Sequence, residues 1–134
     1  MGYFETKYGD NLYVIFRAGI GVLFLMLGFM KLLGLWGMPG GPAAVGTLMW
    51  YAGIFELMIG SSMVTGVLVR LASAFGIIMM IVAYYLGHVK VGGWNPAVNF
   101  GMPALVFMLA FLVTLAYGAG KASLEKAAFG KELF

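Results

Sequence analysis

Residues 44–69 read AVGTLMWYAGIFELMIGSSMVTGVLV, and one side chain in that stretch, Glu56, is of a kind ordinarily charged at neutral pH. At about 1.5 Å per residue a helix built from this run crosses the roughly 30 Å hydrocarbon layer of a bilayer. A charge at bilayer depth is expensive, so such a group faces a bundle interior, pairs with another group, or stays protonated. The stretch therefore decides the fold class, an apolar helix in a membrane, and makes its carboxylate the first place to look for function.

Working outward, three more apolar runs flank this one. Spans are expected near Tyr13–Leu35, Val45–Val69, Leu71–Val89 and Ala97–Gly118. The second and third are separated by little more than Arg70, which implies a tight antiparallel hairpin. The expected architecture is an all-α integral membrane four-helix bundle, antiparallel and up-down, formed by residues 1–134 as a single domain. Composition agrees. The 134 residues are 63% hydrophobic and 10% charged, against about 25% charged in soluble domains. The absence of cysteine excludes disulfides, thiolate metal sites, iron–sulfur clusters and covalent c-type haem. The formal charge of +3 does not point to nucleic acid, because the cations sit at the ends of apolar runs, where they act as topology signals.

Lysine and arginine set the expected orientation. With four spans both termini share a side, and that side collects Lys7, Arg17, Arg70, Lys121, Lys126 and Lys131, against Lys31 and Lys90 on the other. The chain is read as N-in and C-in, a multi-pass protein of the cell membrane. The outward connections, Trp36–Pro42 and Lys90–Pro96, are rich in glycine and proline and are not expected to be helical. The first run is too long for a cleavable signal and lacks a basic start. Met1-Gly2 with Thr6 has the form of a myristoylation pattern, but Tyr3 and Phe4 are bulky and four spans already anchor the chain. The tail, residues 119–134, reads as a short amphipathic segment on the inner surface.

Polar side chains share faces with glycines. Arg17, Gly21, Phe24, Gly28 and Lys31 fall on one helical stripe, and Gly53, Glu56 and Gly60 on another. Glycines at this spacing admit a neighbouring helix closely. Compared by depth, Lys31 can reach Glu56 directly or through a water. Arg17 lies nearer the inner surface, where snorkelling is the preferred reading over a pair with Glu56. Tyr84, Tyr85 and His88 end the third span, and Trp94, Asn95 and Asn99 open the fourth. With Lys31 and Glu56 they outline a small pocket toward the outer leaflet, walled by Phe and Met. The plainer alternatives are a lone interfacial histidine at His88 and a register-fixing clasp at Lys31–Glu56. The methionines form no compact ligand cluster, and no metal site is expected.

These residues together resemble the DoxX family of small four-helix membrane proteins, which includes DoxD-like subunits of thiosulfate:quinone oxidoreductase. The resemblance is carried by Arg17, Gly28-Phe29-Met30-Lys31-Leu32, Glu56 with Gly60, and Gly66-Val67-Leu68-Val69-Arg70. It continues through Trp94-Asn95-Pro96, Asn99-Phe100-Gly101 and Tyr117-Gly118-Ala119-Gly120-Lys121. Family members commonly carry Glu directly after the Asn-x-Gly, where this chain has Met102. Glu56 is then the remaining intramembrane acid.

The resemblance implies a quinone-linked oxidoreductase subunit. A quinone site needs an apolar slot, donors to the ring carbonyls and a group that exchanges protons. Glu56, Lys31 and His88 are the candidate catalytic residues, and Tyr84, Trp94, Asn99 and Arg17 the candidate substrate-binding ones. The chain has no electron carrier of its own, so no intrinsic cofactor is expected, and quinone would be a substrate. The alternative is a non-catalytic anchor or assembly subunit of a larger membrane complex. A carrier built around Glu56 is a third reading, disfavoured by the lack of an inverted repeat. Expected partners are the lipid bilayer and other membrane subunits or further copies of the chain.

Overall fold

The computed structural model describes residues 3–133, with side chains described from residue 7 on; Met1-Gly2 lies outside that range. Every regular element among the described residues is helical. Helix α1 spans Tyr3–Leu33, α2 Leu48–Thr65 and α3 Val69–Tyr84. Beyond Tyr84 the chain continues as a π-helical turn, Tyr85–Val89, and a last helical turn, Lys90–Gly92. Helix α4 spans Met102–Tyr117, and the short α5 spans Leu124–Phe129. Lys7–Leu33, Leu48–Thr65 and Val69–Gly92 are long and apolar enough to cross a membrane, and Met102–Tyr117 is a shorter apolar helix.

Several helix boundaries differ from the sequence reading, α1 beginning at Tyr3 and α2 at Leu48 among them. The break between α2 and α3 falls at Gly66-Val67-Leu68, and Arg70 is already inside α3. Gly66 takes a left-handed conformation (φ 76°), and its N–H and that of Val67 both return to the Ser62 carbonyl, a closure that only a residue tolerant of positive φ makes cheaply. Leu68 follows in the left-handed region as well (φ 51°). Helical structure also runs past Val89 to Gly92, and α4 begins at Met102 instead of Ala97. Pro103 sits in its first turn, where a missing N–H costs nothing.

Packing is organised as two close pairs, α1 on α2 and α3 on α4. In the first pair the glycines interlock. A Cβ at Gly60 would lie 2.8 Å from the Gly21 carbonyl oxygen, and one at Gly28 would lie 2.9 Å from that of Gly53. Such backbone approach maximises dispersion contact where lipid supplies no hydrophobic drive. In the second pair the Phe111 ring lies over Gly76 at 2.7 Å from where a Cβ would stand, and buried Ser73 and Thr114 share a 2.7 Å hydroxyl hydrogen bond. Phe24 of α1 joins the pairs, meeting Phe107 and Phe111 of α4 with centroids 5.1 and 5.0 Å apart. Outward faces stay apolar: Ile15, Met58, Ile78 and Leu109 are all more than half exposed, as lipid-facing positions would be.

The tail folds back onto the helix ends instead of lying free of them. Tyr13 donates to the Gly118 carbonyl at 2.6 Å. Ser123 caps α5 through the Lys126 N–H and donates to the Gly66 carbonyl at 2.6 Å.

Candidate functional site

Lys31 occupies the last turn of α1 and Glu56 the middle of α2. Gly53, three residues before Glu56, lets the Lys31 stem lie against α2: a Cβ there would meet Lys31 Cβ at 3.1 Å. The ammonium then reaches Glu56 Oε1 at 2.5 Å. The two side chains are unequally sheltered, 17% exposed for Lys31 and 3% for Glu56. Oε2 of Glu56 is buried with no hydrogen-bond partner. A carboxylate in a dry setting uses several lone pairs, so Oε2 is an acceptor left open beside a charged donor. Between α2 and α3, Phe55, Met58, Ile59, Leu71 and Phe75 border an apolar groove of about 220 Å³, whose lining includes neither Glu56 nor Lys31.

A second network forms where α3 meets the connection to α4. Tyr84 donates to the Trp94 carbonyl at 2.6 Å. The Asn99 amide donates to Tyr84 Oη at 3.2 Å and to the Gly93 carbonyl at 2.8 Å, while its Oδ1 accepts from the Gly101 N–H at 2.8 Å. His88 Nδ1 lies 2.9 Å from the Asn99 carbonyl. A carbonyl only accepts, so Nδ1 carries the proton and the neutral ring would bear its lone pair on Nε2. The His88 and Tyr84 rings stack at 6.2 Å, and Tyr85 meets Trp94 at 6.1 Å. Asn95 closes a local turn by accepting from the Ala97 N–H at 3.0 Å.

The structure thus assembles the outlined polar groups into two hydrogen-bonded networks. No hydrogen bond or ion pair among the described residues connects Lys31–Glu56 to Tyr84–His88–Asn99. Arg17 belongs to neither. It is 1% exposed and donates to the Ala119 carbonyl and, at 2.7 Å, to that of Ala122. Snorkelling toward headgroups is therefore not its arrangement: the returning tail brings carbonyls to the guanidinium before it reaches the surface. Those partners are main-chain atoms, which no residue pattern marks.

Two further polar groupings escaped the sequence reading. Ser73 and Thr114 pair across α3 and α4, although each alone reads as an ordinary helix residue. At the tail, Glu132 takes Arg70 at 2.7 Å, Lys126 at 3.0 Å and the Ala119 N–H at 3.1 Å. Partial burial works against the Glu132 charge. The Lys126 hydrogen bond and charge, the Arg70 charge and the Ala119 N–H outweigh it and hold the carboxyl below its ordinary value. Among the described residues no three His, Asp or Glu side chains gather to hold a metal ion.

An uncharacterized protein of Haemophilus influenzae is 30% identical over 129 residues, covering 93% of this chain and 96% of the relative. No solved structure matches. The DoxX family model matches residues 12–89, the segment that holds the interlocking glycines, Lys31, Glu56, Tyr84 and His88, and the chain belongs to the DoxX family.

Proposed function

We propose that this DoxX-family membrane protein is a quinone-linked oxidoreductase subunit of the cell membrane, an antiparallel up-down four-helix bundle with both termini on the cytoplasmic side. The observation that carries the reading is the open, buried Oε2 of Glu56 next to the Lys31 ammonium. A protonated Glu56 can give its proton to a reduced quinone oxygen, and the carboxylate can take one from a quinol, with Lys31 stabilising the charged form. The apolar groove beside α2 supplies a slot of the kind that an aromatic ring and its tail occupy. The distribution of cations supports the orientation. Electrons come from a partner subunit or soluble donor, because the chain's side chains hold no redox centre.

Native mass spectrometry of protein gently released from its membrane tests this. A quinone retained by the wild type and lost on Glu56→Gln or Lys31→Met is the expected result. Membranes carrying Glu56→Gln should also lose quinone turnover, and turnover at the wild-type rate would sink the mechanism.

A second reading, a non-catalytic assembly subunit, is favoured by the Tyr84–Asn99 network, whose polar groups are occupied with closing the connection to α4. It predicts stoichiometric partner subunits with no bound quinone.

A further inference from the structure

The end of the molecule formed by the start of α1 and the returning tail has polar features that neither network above uses. A cavity of about 710 Å³ opens there, bordered by Gly9, Asp10, Tyr13, Tyr117, Lys121 and Lys126. The cations around it exceed the carboxylates available to them. Arg17 is held by carbonyl oxygens, and Arg70 and Lys126 share one acid, Glu132. Lys121 makes a 3.3 Å contact to the neutral Asn11 amide oxygen, and no carboxylate pairs with it among the described residues. The sequence places six cations at this end (Lys7, Arg17, Arg70, Lys121, Lys126, Lys131) against four acids (Glu5, Asp10, Glu125, Glu132). The balance is positive even with every acid counted.

The height of the cavity is marked by aromatic side chains. Tyr13 and Tyr117 pack with centroids 5.5 Å apart, and Tyr117 is 69% exposed. Tyrosine with one apolar and one wet end settles at the headgroup level. Apolar helix lies on one side of this ring pair and the basic tail on the other. The cavity wall is bare at Gly9, where a Cβ would meet nothing within 4 Å, which leaves room for a bulky group.

We propose that this cavity binds the phosphate of an anionic lipid headgroup, with Lys121 as the principal cation, Lys126, the buried Arg17 and the partly exposed Arg70 adding to the positive field, and the acyl chains lying along α1 and α4. Asp10 faces the same cavity and favours headgroups that offer a hydroxyl donor as well as a phosphate, such as a glycerol phosphodiester. The site is independent of any quinone chemistry.

The test is lipid retention by native mass spectrometry from micelles containing equal phosphatidylglycerol and phosphatidylcholine, with the full chain and two variants. Wild-type protein should retain phosphatidylglycerol preferentially. Lys121→Ala should lower that retention about fivefold, the factor of one basic residue at an anionic surface. Lys90→Ala, an exposed lysine beyond α3, should leave it unchanged. Equal retention of the two lipids, or retention unaffected by Lys121→Ala in a variant that melts like wild type, overturns the proposal. A second arm separates lipid from soluble ligand: inorganic phosphate added to protein in pure phosphatidylcholine nanodiscs should not raise the melting temperature. A Lys121-dependent rise with phosphate, without preference for phosphatidylglycerol, would assign the site to a soluble phosphate and refute the lipid assignment.

Discussion

Replacing Lys31 by methionine removes the cation from a carboxylate that is 3% exposed, while replacing Glu56 by glutamine removes the charge from the partner of a lysine that is 17% exposed. The asymmetry fixes the expected magnitudes. In Lys31→Met a buried charge is left without compensation, a loss of about 3–5 kcal/mol when one partner of a buried pair is deleted. In Glu56→Gln the ammonium keeps a hydrogen bond to the amide oxygen and lies in the last turn of α1, within reach of the helix end. The loss there is about 1–2 kcal/mol. The double variant Lys31→Met/Glu56→Gln leaves no buried charge and should be more stable than Lys31→Met alone. A double-mutant cycle should then give a coupling of at least about 1.5 kcal/mol. Reversible unfolding in mixed micelles, followed by tryptophan fluorescence, reads all four proteins. Equal losses for the two single variants, or additivity in the double, would refute a charged pair buried between α1 and α2.

Two other substitutions address the packing and the tail. Gly60→Ala drives a Cβ to 2.8 Å from the Gly21 carbonyl oxygen and the Leu25 nitrogen, and should cost about 1–3 kcal/mol in the same assay. Gly19→Ala, whose Cβ meets nothing within 4 Å, should be neutral or stabilising by helix propensity; a matching loss there would mean the interlocked contact is not the cause. For the tail, Glu132 has a carboxyl pKa held below its ordinary 4.5 in the folded chain. Its contribution is complete above 4.5 and disappears as the pH falls through the lower folded value. Protection factors of residues 119–129, taken against the intrinsic exchange rate at each pH, should therefore fall on acidification below that range, and Glu132→Gln should remove this dependence while lowering protection at neutral pH. Protection factors that rise on acidification would contradict the sign.

The legible part of this molecule follows from fixed helical geometry. Rise per residue and the 3.6 period put Lys31 and Glu56 at compatible depths and Gly21, Gly28, Gly53 and Gly60 on facing stripes, and the structure has the ion pair and the interlock. Membership of the DoxX family was legible too, through ordered motifs spread along the chain. What was not legible depends on the main chain. The α2–α3 break lies at Gly66–Leu68 because Ser62 can close it and Leu68 accepts a left-handed backbone, which its side chain does not announce. Arg17 ends on two carbonyls delivered from more than a hundred residues away in sequence. The polar groups near Asn99 read as one pocket with Lys31 and Glu56 because depth was known and azimuth was not. Once the connection before α4 folds on itself, Asn99 is spent on Gly93, Tyr84 and Gly101.

The π-helical turn at Tyr85–Val89 has a consequence for how this chain can change. Such a turn is an α-helix carrying one surplus residue, so the chain on its two sides is out of phase by roughly 100°. Upstream, Ser73 and Gly76 keep their address on α4; downstream, the same helix presents a different side to the Gly92–Asn99 connection. Deleting a single residue from the turn would restore a regular spiral and swing everything after it around the axis, leaving the earlier packing untouched. One codon can therefore re-aim the His88 end of the helix without disturbing its root, a route by which relatives built on the same scaffold can diverge at that end alone.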